Sequence, residues 1–196
     1  MKNFFWFYLF LLPVWSWSQA VYKIIPEKST FHWKCDKHYG TFPVIKGIIK
    51  MYDESNVEGE FEIDVEGLAV ADLDSIQYKT AKAILENTLK NEFLETDKYP
   101  VARFYLHRLI PQSGGQYLLE GDVFLHGQKV CLQIPVQIKQ TGHQMEVIAP
   151  GFVIDRTDWG IYRMSPSRPY SDDENNWTVP DEVEIKFHLI LKKTGS

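Results

Sequence analysis

The chain has 196 residues and a formal net charge of −5, with acidic and basic side chains interspersed rather than segregated. That balance argues against nucleic acid as a partner, because phosphate binding needs a basic surface. Aromatic residues make up 14% of the chain, which favours a β-rich interior over a helical bundle.

Residues 1–18 have the pattern of a cleavable export signal: Lys2 supplies the positive charge, 4–14 is an apolar core, and Ser16 and Ser18 are small residues at the cleavage site. The apolar core is shorter than the roughly 20 residues of a membrane span, and no later stretch is apolar enough to be one. With no cysteine beside the cleavage site, the lipoprotein route is closed. The expectation is a periplasmic or secreted protein that starts at Gln19, with no transmembrane segment once the signal is removed. Residues 19–196 suffice for one domain with a substantial core.

Strand candidates follow at 22–25, 30–34, 45–52 and 60–68. Cys35 shares a face with Phe31 and Trp33, whereas His32 and His38 fall on the other side, so these residues are out of phase as metal donors. From Glu60 to Glu66 every even position is acidic and every odd one apolar, including Phe61 and Ile63, so one face is wet and the other dry. Residues 75–90 carry a partial helical stripe of Ile76, Lys79, Thr80, Ala83, Ile84 and Leu89, with Asp74 or Ser75 as the cap. Phe93 and Leu94, just beyond, suit a plug near a barrel mouth.

Tyr99-Pro100 blocks further helix. Ala102, Phe104 and Leu106 then alternate with polar or half-polar residues. The Gly114-Gly115 hairpin leads into Tyr117, Leu119, Gly121, Val123 and Leu125, and the His126-Gly127 turn leads into Leu132, Ile134, Val136 and Ile138. Cys131 lies opposite that last dry face. Its parity is therefore opposite to that of Cys35, and although an oxidising compartment favours a bridge, their Cβ vectors should not converge. Strands at 145–149 and 151–156 group Phe152, Ile154 and Arg156 on one face. The acidic run at 171–174 lacks the glycine and ligand spacing of a calcium loop and reads as solvated. The final strand, 183–192, places Val183, Ile185, Phe187, Leu189 and Leu191 on its dry face.

The fold class implied is all-β: an antiparallel, lipocalin-like barrel of about eight strands with one short helix inserted mid-chain, or a sandwich with the same alternation. A barrel of that size either fills with side chains or holds one small ligand. There is no nucleophile elbow, phosphate loop or zinc helix, so no enzyme activity, metal or cofactor is expected. Arg156 on an apolar face needs an acceptor. Either it pairs with Asp158 or another rim carboxylate, or it holds a ligand's head group.

FLETDKYPVARF at 93–104, YLLEGDVFLHGQKVCLQIPV at 117–136 and FVIDRTDWG at 152–160 together resemble the YceI family, and the resemblance extends over essentially the whole chain after the signal. It implies a polyisoprenoid-binding barrel of the bacterial periplasm, whose apolar tunnel takes a polyprenyl lipid or quinone tail without covalent chemistry. On that reading the dry-face residues Phe31, Phe61, Ile63, Phe104, Val123, Val136, Phe152 and Phe187 would line the tunnel, with Arg156 at its mouth; their other role would be a solid core. The alternative is an envelope interaction module with a filled barrel and no lipid ligand, its acidic loops binding a protein.

Overall fold

The dry faces read from the sequence close on one another into an antiparallel barrel. A computed structural model describes residues 19–53, 56–168 and 177–195; the export signal at 1–18 and the acidic run at 171–174 lie outside them. The strands are β1 (Ala20–Ile24), β2 (Thr30–Cys35), β3 (His38–Thr41), β4 (Val44–Met51), β5 (Val57–Asp64), β6 (Ala69–Val70), β7 (Val101–Pro111), β8 (Gln116–Leu125), β9 (Gln128–Thr141), β10 (Gln144–Asp155) and β11 (Glu182–Gly195), with the helix α1 (Lys79–Thr88) between β6 and β7. Eight of these form the ring β1-β4-β5-β7-β8-β9-β10-β11, which β11 closes by pairing with β1. Closure removes the open edges that a sandwich would leave.

The long β11 serves two partners in turn. Its last residues pair with β1 and its first with β2. Between them the chain steps through a short 3-10 turn, Pro26–Lys28, where the Ser29 hydroxyl donates to Ile25 O and accepts from Ile190 N. β3 and β6 extend the sheet beyond β2. Neither was expected from the sequence. His38 therefore belongs to a strand of its own, opposite Cys35, because the chain reverses at Asp36, which has φ +52°. Its ring pairs with Asp72 at 2.8 Å.

The two strands expected at 145–149 and 151–156 are one strand, β10, with a register shift between Ala149 and Phe152. The extra residues at that bulge reset the parity, which keeps both Ala149 and Phe152 facing inward. β10 ends at Asp155, and Arg156–Trp159 form a 3-10 turn that Asp155 caps by accepting from Thr157 N. The direction of the Arg156 side chain thus comes from this turn and not from strand parity.

The helix also differs from its expected stripe. Ile76 and Ile84 face solvent, and neither Asp74 nor Ser75 caps its start with a side chain. The face turned to the barrel is Leu85 and Leu89, an i, i+4 pair. A π turn, Leu89–Phe93, follows, closed by Leu94 N donating to Leu89 O. This widening turns Phe93 inward onto Trp159 and Ile161, which form a second small core.

Candidate functional site

The barrel interior is divided along its length. At one end, Tyr22, Val57, Leu109, Val136, Met145, Val147 and Leu191 are buried in contact with one another and fill the lumen, and the Tyr22 hydroxyl accepts from Gln140 Nε2 across it. At the other end lies a cavity of about 600 Å³. This is the end where β2 turns into β3, β8 into β9, and where β10 exits and β11 begins. Its volume falls in the range of small-molecule sites, roughly 300–1,000 Å³.

The wall is almost wholly apolar. Seven of the eight dry-face residues singled out above meet on it: Phe31, Phe61, Ile63, Phe104, Val123, Phe152 and Phe187. Val136 does not, being 2% exposed within the filled end. Strand parity sets which face is dry but not how far along the barrel a residue sits, and β9 turns Val136 inward two residues past the cavity's last β9 contact, Ile134.

The cavity stays open partly because two of its phenylalanine rings lie along the wall. Phe61 pairs across the sheet with both Gly47 and Phe104, and the two rings stack with centroids 6.0 Å apart. A Cβ at Gly47 would come within 2.6 Å of Phe61 Cδ1, and one at Gly121 within 2.7 Å of the Phe104 ring and 2.2 Å of Tyr105 O. Each ring therefore rests on glycine backbone, where any side chain would push it into the lumen. Mid-strand glycines, Gly47 directly across from Phe61 and Gly121 diagonal to Phe104, were the signal for this arrangement.

The mouth is built by elements that strand patterns do not reveal. Leu85, Thr88 and Leu89 come from α1 and the π turn, Phe93 and Trp159 from the second core, and Trp177, Thr178, Val179 and Pro180 from the segment entering β11. Trp159 is fully buried, with Nε1 donating to Val123 O and its carbonyl bonded to His126 Nδ1. Cys35 also lies on the wall, its thiol donating to Pro180 O. Burial pushes that thiol up from its ordinary value, with Arg156 pulling against it. Both Cys35 and Cys131 are free thiols, half-buried and exposed respectively.

Arg156 reaches the cavity wall but is 5% exposed and heavily engaged. Its Nε donates to Pro180 O at 3.0 Å, Nη1 to Ile161 O at 2.7 Å and Nη2 to Val179 O at 2.9 Å. The pairing carboxylate is Asp181, with Nη2 to Oδ1 at 3.2 Å, and the guanidinium lies over the Phe93 ring at 5.5 Å. Asp181 also accepts from the hydroxyls of Ser165 and Ser167. Burial pushes the Asp181 carboxyl up, but these hydroxyls and Arg156 outweigh it and hold the group below its ordinary value.

Among the described residues no cluster of three or more His, Cys, Asp or Glu side chains is placed to hold a metal. No described helix is long and apolar enough to cross a membrane. What the site offers chemically is an oily compartment whose charged lining residues are Asp36, Lys37, Arg103 and Arg156, and Arg156 is already satisfied by protein.

Comparison with known proteins places this geometry among its relatives. The model of the YceI-like domain matches residues 22–191. No curated protein matches the chain. Among solved structures, the Burkholderia cenocepacia protein BcnA superposes with a TM-score of 0.64 at 18% identity, covering 85% of this chain and 98% of that one. A polyisoprenoid-binding domain from Saccharophagus degradans, implicated in plant cell wall breakdown, superposes with a TM-score of 0.62 at 14% identity, over 88% of this chain and 98% of its own. The YceI protein of Campylobacter jejuni superposes with a TM-score of 0.50 at 12% identity, over 71% and 73%. At these identities the likeness is one of fold.

Proposed function

The chain belongs to the YceI-like domain family, and from that premise we propose that it is an exported carrier that binds a hydrophobic isoprenoid ligand, a polyprenyl lipid or a quinone tail, without covalent chemistry. The observation that carries this reading is the cavity of about 600 Å³ walled by aromatic and aliphatic side chains. Native interiors are otherwise packed to crystal-like density with few voids larger than a water molecule. A void of this size forgoes dispersion contacts that a filled barrel would make, so it stands against a purely structural role for the upper lumen.

An apolar chain entering the chamber would gain about 25 cal/mol for each Å² removed from water. The wall asks for no hydrogen-bond donors and provides a surface suited to a branched hydrocarbon. The Saccharophagus domain, described as polyisoprenoid-binding, has the same fold. In this reading Arg156 organises the mouth by tying Ile161, Val179 and Pro180 together, and any contact with a head group is secondary to that. The signal pattern at 1–18 supports delivery to the periplasm or beyond.

Native mass spectrometry of protein purified from its own envelope tests the proposal. A retained adduct identified as a prenyl lipid or quinone is the expected result. Protein that carries none, and takes up none when offered prenyl phosphates or prenyl quinones, would return the reading to an envelope interaction module.

A further inference from the structure

The cavity ends on a floor. Leu109, Leu119 and Ile134 form one continuous row across β7, β8 and β9, and Leu189 of β11 completes it on the opposite wall. Leu119, Ile134 and Leu189 line the cavity, whereas Leu109 and everything beyond belong to the filled end. Behind this floor lie Val136, Met145 and Leu191, each no more than 2% exposed.

Two independent measures give the room above it. Along β11 the wall runs from Val183 at the mouth to Leu189 at the floor, which is about 20 Å of strand at about 3.4 Å per residue, and a strand tilt near 40° reduces this to about 15 Å of depth. An extended chain advances about 1.2 Å per bond, so a five-carbon prenyl unit with four chain bonds spans about 5 Å. Depth alone thus admits about three units. The volume of about 600 Å³, at about 30 Å³ for a water-sized group, holds on the order of twenty heavy atoms, or about four units.

We infer that the chamber is blind and length-selective: it buries the first three or four units of a single isoprenoid tail and gains nothing from more. This rests on the proposed isoprenoid binding and specifies the ligand class, a short-tailed prenyl lipid or the proximal part of a longer one whose remainder stays outside. The floor residues Leu119, Ile134 and Leu189 are the specificity determinants. Each unit that enters strengthens binding by roughly tenfold or more, and units that meet the floor do not.

An equimolar mixture of prenyl phosphates with two, four, six and eight units, offered to the unmodified protein and to floor variants and read by native mass spectrometry, tests this. The comparison between proteins cancels each tail's own cost of leaving solution. The unmodified protein should favour four units over two by tenfold or more and show no further gain at six or eight. Leu189→Ala should open space beyond the floor and raise the ratio of six-unit to four-unit ligand severalfold; Ile134→Val, a gentler change, should move it the same way by less. Binding that climbs steadily to eight units in the unmodified protein, with a ratio unmoved by either variant, overturns the length limit while leaving isoprenoid binding intact. Failure to bind any of the four overturns the proposed function and this inference with it.

Discussion

At the scale of single residues, the mouth is held by one buried ion pair. Arg156 spends its donors on three carbonyls and Asp181, so removing it strands a carboxylate that is 8% exposed. Breaking such a pair from one side costs about 3–5 kcal/mol, a large share of a margin of about 5–15 kcal/mol. Arg156→Gln should therefore lower the denaturation midpoint clearly; an unchanged midpoint would show that the pair is not structural. The same pair has a pH signature. Because Asp181 is held below its ordinary value when folded, its contribution is fully present above about pH 4, where the unfolded carboxyl ionises, and is lost as pH falls through the lower folded value. Asp181→Asn should flatten part of that acid limb. The sequence marked Arg156 as a residue in need of an acceptor, since arginine near an apolar run is costly alone. It did not mark Asp181, which lies 25 positions on and meets Arg156 only because the 3-10 turn and the entry to β11 converge at the mouth.

At the scale of elements, period-two alternation was sufficient to place the dry faces of β5, β7, β8, β9 and β11, because a strand's side chains must alternate across the sheet. It could not see β3 and β6, which are four and two residues long, too short for a period to register. It found the inward face of α1 only in part: Leu89 stands in the expected stripe and packs on the barrel, whereas Leu85 was missed because the equally apolar Ile76 and Ile84 compete in the pattern. Glycines carry the less obvious information. Gly121 lies beneath the Phe104 ring, and a Cβ there would meet Tyr105 O at 2.2 Å, a backbone atom that cannot swing aside. Gly121→Ala should cost about 1–3 kcal/mol as an overpacked site and tip Phe104 into the lumen. Thermal denaturation together with retained lipid reads both effects: a lower melting temperature and less bound lipid are expected, and a variant that matches the parent in both would mean that the ring does not depend on the glycine.

At the scale of the whole molecule, the barrel combines two interiors in one closed sheet. The filled end supplies the close-packed apolar core on which stability depends, and the hollow end is roofed by α1, the π turn, the 3-10 turn and the segment entering β11. Seven aromatic and aliphatic wall residues could be named from the sequence because each lies on a dry face, whereas Val136 shows what parity omits: position along the axis requires the ring closure and stagger of eight strands. The roof was the least visible part, since it consists of irregular segments whose apolar residues follow no period. The central claim is that a prenyl tail occupies the hollow end. Photo-crosslinking with a geranylgeranyl phosphate that carries a diazirine at the far end of its tail, followed by peptide mapping, measures this directly. Label on the inner wall, concentrated at Leu119, Ile134 and Leu189, is the predicted result. Label spread over the exposed Ile76, Ile84 and Val153, with none on the inner wall, would contradict it.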